Sequence, residues 1–150
     1  MKTAISVNGT ELTSRLQLHV LNASAEAEFD EVFAKLIHLR AGGLLITRDP
    51  LFTSRTEQLA ALAVHHAVPA VYEWREFAAA GGLLSYGASI TDEYHMAGTY
   101  TGRILMGDKP ADLPVQQVTR VERYVNLKAA EALGINVPNC LIGRDDAVIE

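Results

Sequence analysis

The sequence predicts an α/β fold, a three-layer α/β/α sandwich around a parallel sheet. Three observations predict it. Short apolar runs alternate along the chain with stretches whose apolar residues recur at helical spacing. One run, Leu44-Leu45-Ile46, is apolar at successive positions, as a strand covered on both faces requires. The order strand, helix, strand, helix, strand needs crossover connections, which pair strands in parallel and turn to the right.

The elements follow in order. Leu16, Leu18 and Val20 alternate with polar residues before Leu21, a first strand. Asn22 and Ser24 offer helix caps. Phe29, Val32, Phe33, Leu36 and Ile37 then form a helical stripe, with Glu26 and Glu28 favourably placed near its start. Gly42 and Gly43 stop that helix and lead into the strand Gly43–Thr47. Ser54 and Glu57 have capping-box spacing, and Leu59, Leu62, Ala63 and His66 share one face of the helix beyond. A third strand spans Val68–Tyr72, with Pro69 near its start. A short helix over Trp74–Ala80 ends at Gly81 and Gly82, and a fourth strand covers Leu83–Tyr86. Phe29, Phe33, Leu36, Leu59 and Leu62 are the expected core.

The last third differs in character. Thr91–Met106 is a helix with Thr91 as cap and Asp92 and Glu93 in its first turn. Its packing face carries Tyr94, Ala97, Gly98, Thr101, Ile104 and Leu105. Gly98 and Gly102 each cost about 1 kcal/mol of helix propensity against alanine, which makes sense where something packs very close. Gly107 to Pro114 is rich in turns, Arg123 to Leu127 is extended, and Asn126 caps a last short helix ended by Gly134.

Composition narrows the function. The 150 residues are 49% apolar and 21% charged, a globular balance for one ordinary domain. A net charge of −5 argues against general nucleic-acid or anionic-membrane binding, which needs a basic face. No apolar run is long enough for a membrane span. The opening MKTAISVNGTELTSR lacks the apolar core of a signal peptide, so the chain as written reads as cytoplasmic and soluble. Cys140 is the single cysteine and forms no internal disulfide. His65 and His66 are neighbours about 100° apart on a helix and do not chelate one ion. With His19, His38 and His95 scattered, no metal site is expected. No phosphate-binding glycine loop, nucleophile elbow or paired nucleophile and base appears, so neither cofactor nor enzymatic activity is expected.

In an open α/β sheet, ligands bind outside the carboxyl ends of the strands. Those ends are Asn22 to Ser24, Arg48 to Pro50, Glu73 to Arg75 and Tyr86 to Ser89. All are polar or aromatic, which fits a ligand site and equally fits ordinary turns. Asp49 is also a simple turn former before Pro50, and Trp74 is either a stacking platform or a lid on the core.

A longer stretch carries more. The run from DPLFTSRTEQLAALAVHHAVPAVYEWREF through GGLLSYGASITDEYHMAGTYTGRILMGDKPADLPVQQ resembles the second half of a solute-binding protein of ABC transporters. It is similar to the branch related to tryptophan- and tyrosine-type uptake systems, with a type I periplasmic-binding-protein fold. LQLHVLNASAEAEFDEVFAKL upstream and VNLKAAEALGINVP downstream match as well, so the resemblance covers roughly residues 16 to 150. The departure is one of length. The family has a signal sequence and a complete first lobe, whereas here the strand and long helix before LQLHVLNAS are reduced to TAISVNGTELTSR.

The resemblance implies a ligand-lobe core over 1–90, and a helix and tail over 91–150 that in the family partly return to the other lobe. It implies a periplasmic receptor for a small solute, such as an amino acid, that serves an ABC permease. The residues at the strand ends expected to touch solute are Asp49, Pro50, Leu51 and Phe52, then Glu73, Trp74 and Arg75, then Tyr86 and Gly87. Asp49 or Glu73 suits a ligand amine, Arg75 a carboxylate, and Phe52 or Trp74 an apolar side chain. The alternative is a truncated remnant that binds no solute and self-associates as a homodimer through the helix Thr91–Met106.

Overall fold

The computed structural model describes residues 3–8, 17–116, 121–142 and 147–149. The strands are β1 (Thr3–Asn8), β2 (Gln17–Asn22), β3 (Gly43–Ile46), β4 (Ala70–Tyr72), β5 (Leu84–Ala88), β6 (Val121–Asn126) and β7 (Ala147–Ile149). They form one sheet in the order β2-β1-β3-β4-β5-β6-β7. The helices are α1 (Phe29–His38), α2 (Pro50–Ser54), α3 (Thr56–His65), α4 (Arg75–Ala79), α5 (Ile90–Leu105), α6 (Leu127–Ala132) and α7 (Asn139–Ile142).

The parallel centre is β3-β4-β5, joined by α2 with α3 and then by α4. These helical crossovers carry the chain back to the starting edge, so the strands they join point the same way. The flanks add antiparallel pairings to this parallel centre. β1, a segment to which the sequence pattern assigns no strand, lies between β2 and β3 and runs antiparallel to both. It therefore leaves β2 and β3 pointing the same way. β6 is antiparallel to β5, and β7 is parallel to β6. Leu16, expected to open β2, lies outside the described residues.

One face of the sheet is covered. From α1, Phe29, Val32, Phe33 and Leu36 are buried, as the helical stripe requires. They meet Leu59, Ala60 and Ala63 of α3, Leu44 and Ile46 of β3, and Tyr72 of β4. Phe77 of α4 sets its ring edge against Tyr72 at 5.9 Å. Leu62 is only partly buried against this cluster. On the opposite face Leu18, Val20, Leu45 and Tyr86 are exposed. Val20 and Leu45 both pair with Ile5, which places them on the same side. The second helical layer expected for the sandwich is thus open over parts of β2, β3 and β5.

Helix ends differ from the expected caps in three places. A 3-10 turn over Glu26–Glu28, with Ala25 at its N-cap, leads into α1, whose own N-cap is Glu28, so neither Asn22 nor Ser24 is the cap. Ser54 is the last residue of α2 and its hydroxyl donates to the Leu51 carbonyl, so it forms no capping box with Glu57. The cap that does act there is Asp49, which accepts the Leu51 N–H at 2.8 Å with Pro50 in the first helical turn. Likewise Ser89, not Thr91, caps α5, its hydroxyl facing the Asp92 N–H at 3.4 Å. Asn126 caps α6 as expected, accepting the Ala129 N–H at 2.9 Å. α1 stops before Gly42 and Gly43, because Arg40 takes a positive φ of 51° and the Ala41 N–H returns to the Leu36 carbonyl.

No residue of α5 is buried. Tyr94 is 72% exposed and Leu105 is 82% exposed. A Cβ added at Gly98 or Gly102 would meet nothing within 4 Å. The expected close neighbour of that helix is therefore not found among the described residues.

Candidate functional site

The carboxyl ends of β3, β4 and β5 share one edge of the sheet, because these strands are parallel. Arg48 leaves β3, Glu73 and Trp74 leave β4, and the first turn of α5 leaves β5. They converge. The Arg48 guanidinium lies 4.8 Å from the Trp74 ring centroid, within cation–π range. It reaches Glu93 of α5 at 3.0 Å and Glu73 at 3.6 Å. Burial pushes the Glu73 carboxyl above its ordinary value, while neighbouring Arg48 pulls it back. Trp74 itself is only 4% exposed, so it works as a lid on the core with its outer side under Arg48.

Gly87 explains how β5 comes so close. A Cβ there would stand 2.4 Å from the Glu73 carbonyl oxygen and 2.6 Å from its Cγ. Only glycine allows this approach.

Two recesses flank the cluster. A polar crevice of about 110 Å³ lies between the end of β4, β5, β6 and the first turn of α5, bounded by Glu73, Arg75, Gly87, Thr91 and Tyr124. Arg75 stacks over the Tyr124 ring at 5.4 Å, and the Tyr124 hydroxyl donates to Glu122. Ser85 also lines this crevice; it is 1% exposed and its hydroxyl has no partner among the described residues. A wider groove of about 920 Å³ runs between the α2–α3 junction and α4, past Thr53, Arg55, Gln58, Trp74 and Ile90. The Arg55–Glu26 ion pair, 2.6 Å long, sits at its rim. Among the described residues, no three His, Cys, Asp or Glu side chains converge to hold a metal ion.

The residues expected from the sequence divide. Glu73, Trp74, Arg75 and Gly87 come together around the polar crevice. Asp49 is engaged as the α2 cap, and Leu51 packs against the core. Phe52 is 2% exposed and its ring packs on Phe29 at 6.0 Å. Pro50 opens α2 on the surface. Tyr86 is 57% exposed, and alternation along β5 puts it on the face opposite buried Ser85. The residues missed are Arg48, Glu93, Ser85 and Tyr124. Arg48 and Glu93 had a signal, a basic residue at a strand end and an acid in a helix first turn. Tyr124 had none, because it arrives through the antiparallel pairing Ser85↔Tyr124 between distant segments.

Comparison with known proteins extends this picture. A family profile described as ABC transporter substrate binding protein matches residues 10–149. A comparison with curated proteins finds no match. The fold is similar to a conserved domain protein from Vibrio cholerae, with a TM-score of 0.77 and 21% identity over 85% of this chain and 43% of that one. It is similar to an ABC domain in complex with L-Trp from Streptococcus pneumonia, with a TM-score of 0.74 and 21% identity over 85% and 44% of the two chains. It is also similar to a ligand-free, open substrate-binding protein with adhesive properties from Clostridium difficile, with a TM-score of 0.59 and 19% identity over 85% and 42%. The chain thus spans less than half the length of the solved structures it matches, and its architecture is that of a single lobe of a periplasmic-binding-protein fold. With a match running over nearly its whole length, the chain belongs to the ABC transporter substrate-binding protein family.

Proposed function

We propose that this chain supplies one wall of the solute site of an ABC importer's binding component and works outside the cytoplasm with a membrane permease as partner. The observation that carries the reading is the family match over residues 10–149. The convergence of Glu73, Trp74, Arg75 and Gly87 at the carboxyl edge of the parallel strands supports it. In this reading Glu73 or Asp49 receives a ligand amine and Arg75 a carboxylate. Pro50, Leu51 and Phe52 hold the α2 end of the wall in place, and Tyr86 flanks it. An amino acid or a related small solute suits this set, and the L-Trp complex of a structural neighbour points the same way. The helix and tail over 91–150 serve partly to engage the other lobe. No catalytic step is involved.

A wall without its opposite lobe forfeits about half of the ligand contact a closed clamp makes. Binding by this chain alone is therefore weaker than about 10 μM. An NMR titration with a panel of L-amino acids tests the reading. Saturable shifts at Glu73–Arg75 are expected, and shifts confined to other regions, or none at about 10 mM solute, overturn it.

A second reading rests on the exposure of Tyr94, Ile104 and Leu105. Two copies associate through α5 into a two-fold dimer, the commonest closed arrangement. Sedimentation equilibrium at tens of micromolar tests it, and a monomer ends it.

A further inference from the structure

We infer that the aromatic and acidic cluster at the β3–β4–α5 corner is a binding site for an organic cation, occupied in this structure by the protein's own Arg48. The inference rests on the proposed solute-binding role and gives that site a ligand class and a built-in competitor. The parts are those of a cation box: an aromatic ring under the charge and carboxylates at its rim. Trp74 supplies the ring, 4.8 Å below the guanidinium carbon of Arg48. Glu93 and Glu73 supply the carboxylates, at 3.0 and 3.6 Å from its nitrogens. The box is assembled from two segments, the residues after β4 and the first turn of α5, so a cation there ties the first turn of α5 to the sheet.

Arg48 is a weak tenant. Its side chain is 57% exposed, while those of Glu73 and Glu93 are 25% and 27% exposed. The carboxylates are thus the better shielded half of the pair, and an arginine with that much exposure forms ion pairs of small net value. Among the described residues, its ion pairs and ring contact are those with Glu73, Glu93 and Trp74. A guanidinium or alkylammonium group of a solute makes the same three contacts, and Arg48 swings out into water. The charge around the site favours that exchange, because the adjoining crevice adds Glu76 and Glu122, and Arg75, its one lining cation among the described residues, lies over Tyr124. An anion brought to the Trp74 ring itself meets Glu73 and Glu93 first, so a ligand carboxylate is left to Arg75 in the adjoining crevice.

Trp74 is the only tryptophan, so its fluorescence reports this corner alone. The full chain and its Arg48→Met variant are titrated with methylguanidinium chloride and with tetramethylammonium chloride. Sodium chloride at equal ionic strength and sodium acetate serve as controls. Arg48→Met keeps an apolar stem over the ring and removes the competitor. The expected result is a saturable change with a midpoint at least about tenfold lower in Arg48→Met than in wild type. It is lost again in Arg48→Met/Glu73→Gln and is absent with acetate. Equal midpoints in the two proteins, or a response that sodium chloride reproduces, overturn the inference. So does the absence of any saturable response to the two cations. If Trp74 in Arg48→Met answers an amino-acid panel but neither cation, the solute-binding reading stands and the cation site falls. Arg48→Gln repeats the comparison should Arg48→Met lose its circular dichroism signature.

Discussion

Gly87→Ala tests whether the contact between β5 and the residue after β4 governs this corner of the molecule. The added methyl would stand 2.4 Å from the Glu73 carbonyl oxygen and 2.6 Å from Glu73 Cγ. One of the two obstacles is backbone, so the clash is not relieved by a rotamer change. β4 pairs with β5 only at Val71↔Leu84 and Tyr72↔Ser85, so little holds its far end against the push. Overpacking of this kind costs about 1–3 kcal/mol. The stiffer unfolded chain returns about 0.4–1 kcal/mol of that. At about 2–4 °C per kcal/mol for a domain of this size, the net loss lowers the melting midpoint by several degrees. Gly43→Ala is the control, since its Cβ meets the Pro69 carbonyl at an ordinary 3.4 Å and is expected to change little. Urea unfolding of both variants, followed by circular dichroism, measures the difference. A Gly87→Ala protein as stable as wild type, or a Gly43→Ala protein damaged equally, refutes the reasoning.

Asn126→Ala removes both the cap on Ala129 and the bond from Asn126 to the Ala78 carbonyl, 2.8 Å long and buried. A loss of about 1–3 kcal/mol is expected in urea unfolding, and a loss below about 0.5 kcal/mol would show that water replaces both bonds. Glu73 carries a pH signature. Its folded carboxyl is raised above the ordinary 4.5 by burial, so the native state holds the proton more tightly than the unfolded chain. Its contribution therefore falls as pH rises from 4.5 through the raised value. Unfolding titrations should show Glu73→Gln gaining on wild type across that window, and a narrowing gap contradicts the assignment. Gly98→Ala on bare α5 should stabilise by about 1 kcal/mol, because its Cβ meets nothing within 4 Å. Destabilisation that grows with protein concentration in thermal melts would instead put a second copy against that face.

Much of the fold is legible because period and composition act locally. The stripe through Phe29, Phe33 and Leu36 needs one face of a helix on a sheet, and that is where the structure buries it. The same holds for β3 to β5, whose parallel direction follows from the helices between them. Strand direction at the flanks follows from connections that carry no such signal. TAISVN has the residues of a strand, yet nothing in it states that it will lie antiparallel between β2 and β3. The caps were misplaced for a related reason. Ser54 and Thr91 have the right chemistry, but Asp49 and Ser89 come first and start their helices earlier.

The site divides along the same line. Strand ends are readable from sequence, so Glu73, Trp74 and Arg75 stood out, but which side chains reach them depends on elements that return from elsewhere. Glu93 reaches Arg48 across α5, and Tyr124 reaches Arg75 across β6. Hydropathy has the same blind spot. Phe52 reads as a stacking residue and lies in the core, at 2% exposure, while Leu18 and Val20 of the alternating first strand and Leu45 of the run expected to be covered on both faces stand exposed. Their alternation is right for a covered strand, but a strand is covered only where another element lies over it. Leu45 follows from this: it sits at the centre of an apolar run in β3, yet 42% of it is exposed because α1 to α4 pack on the side of Leu44 and Ile46. An apolar residue marks a face that gains from cover. The neighbour that supplies the cover is written in a different part of the sequence or in a different chain.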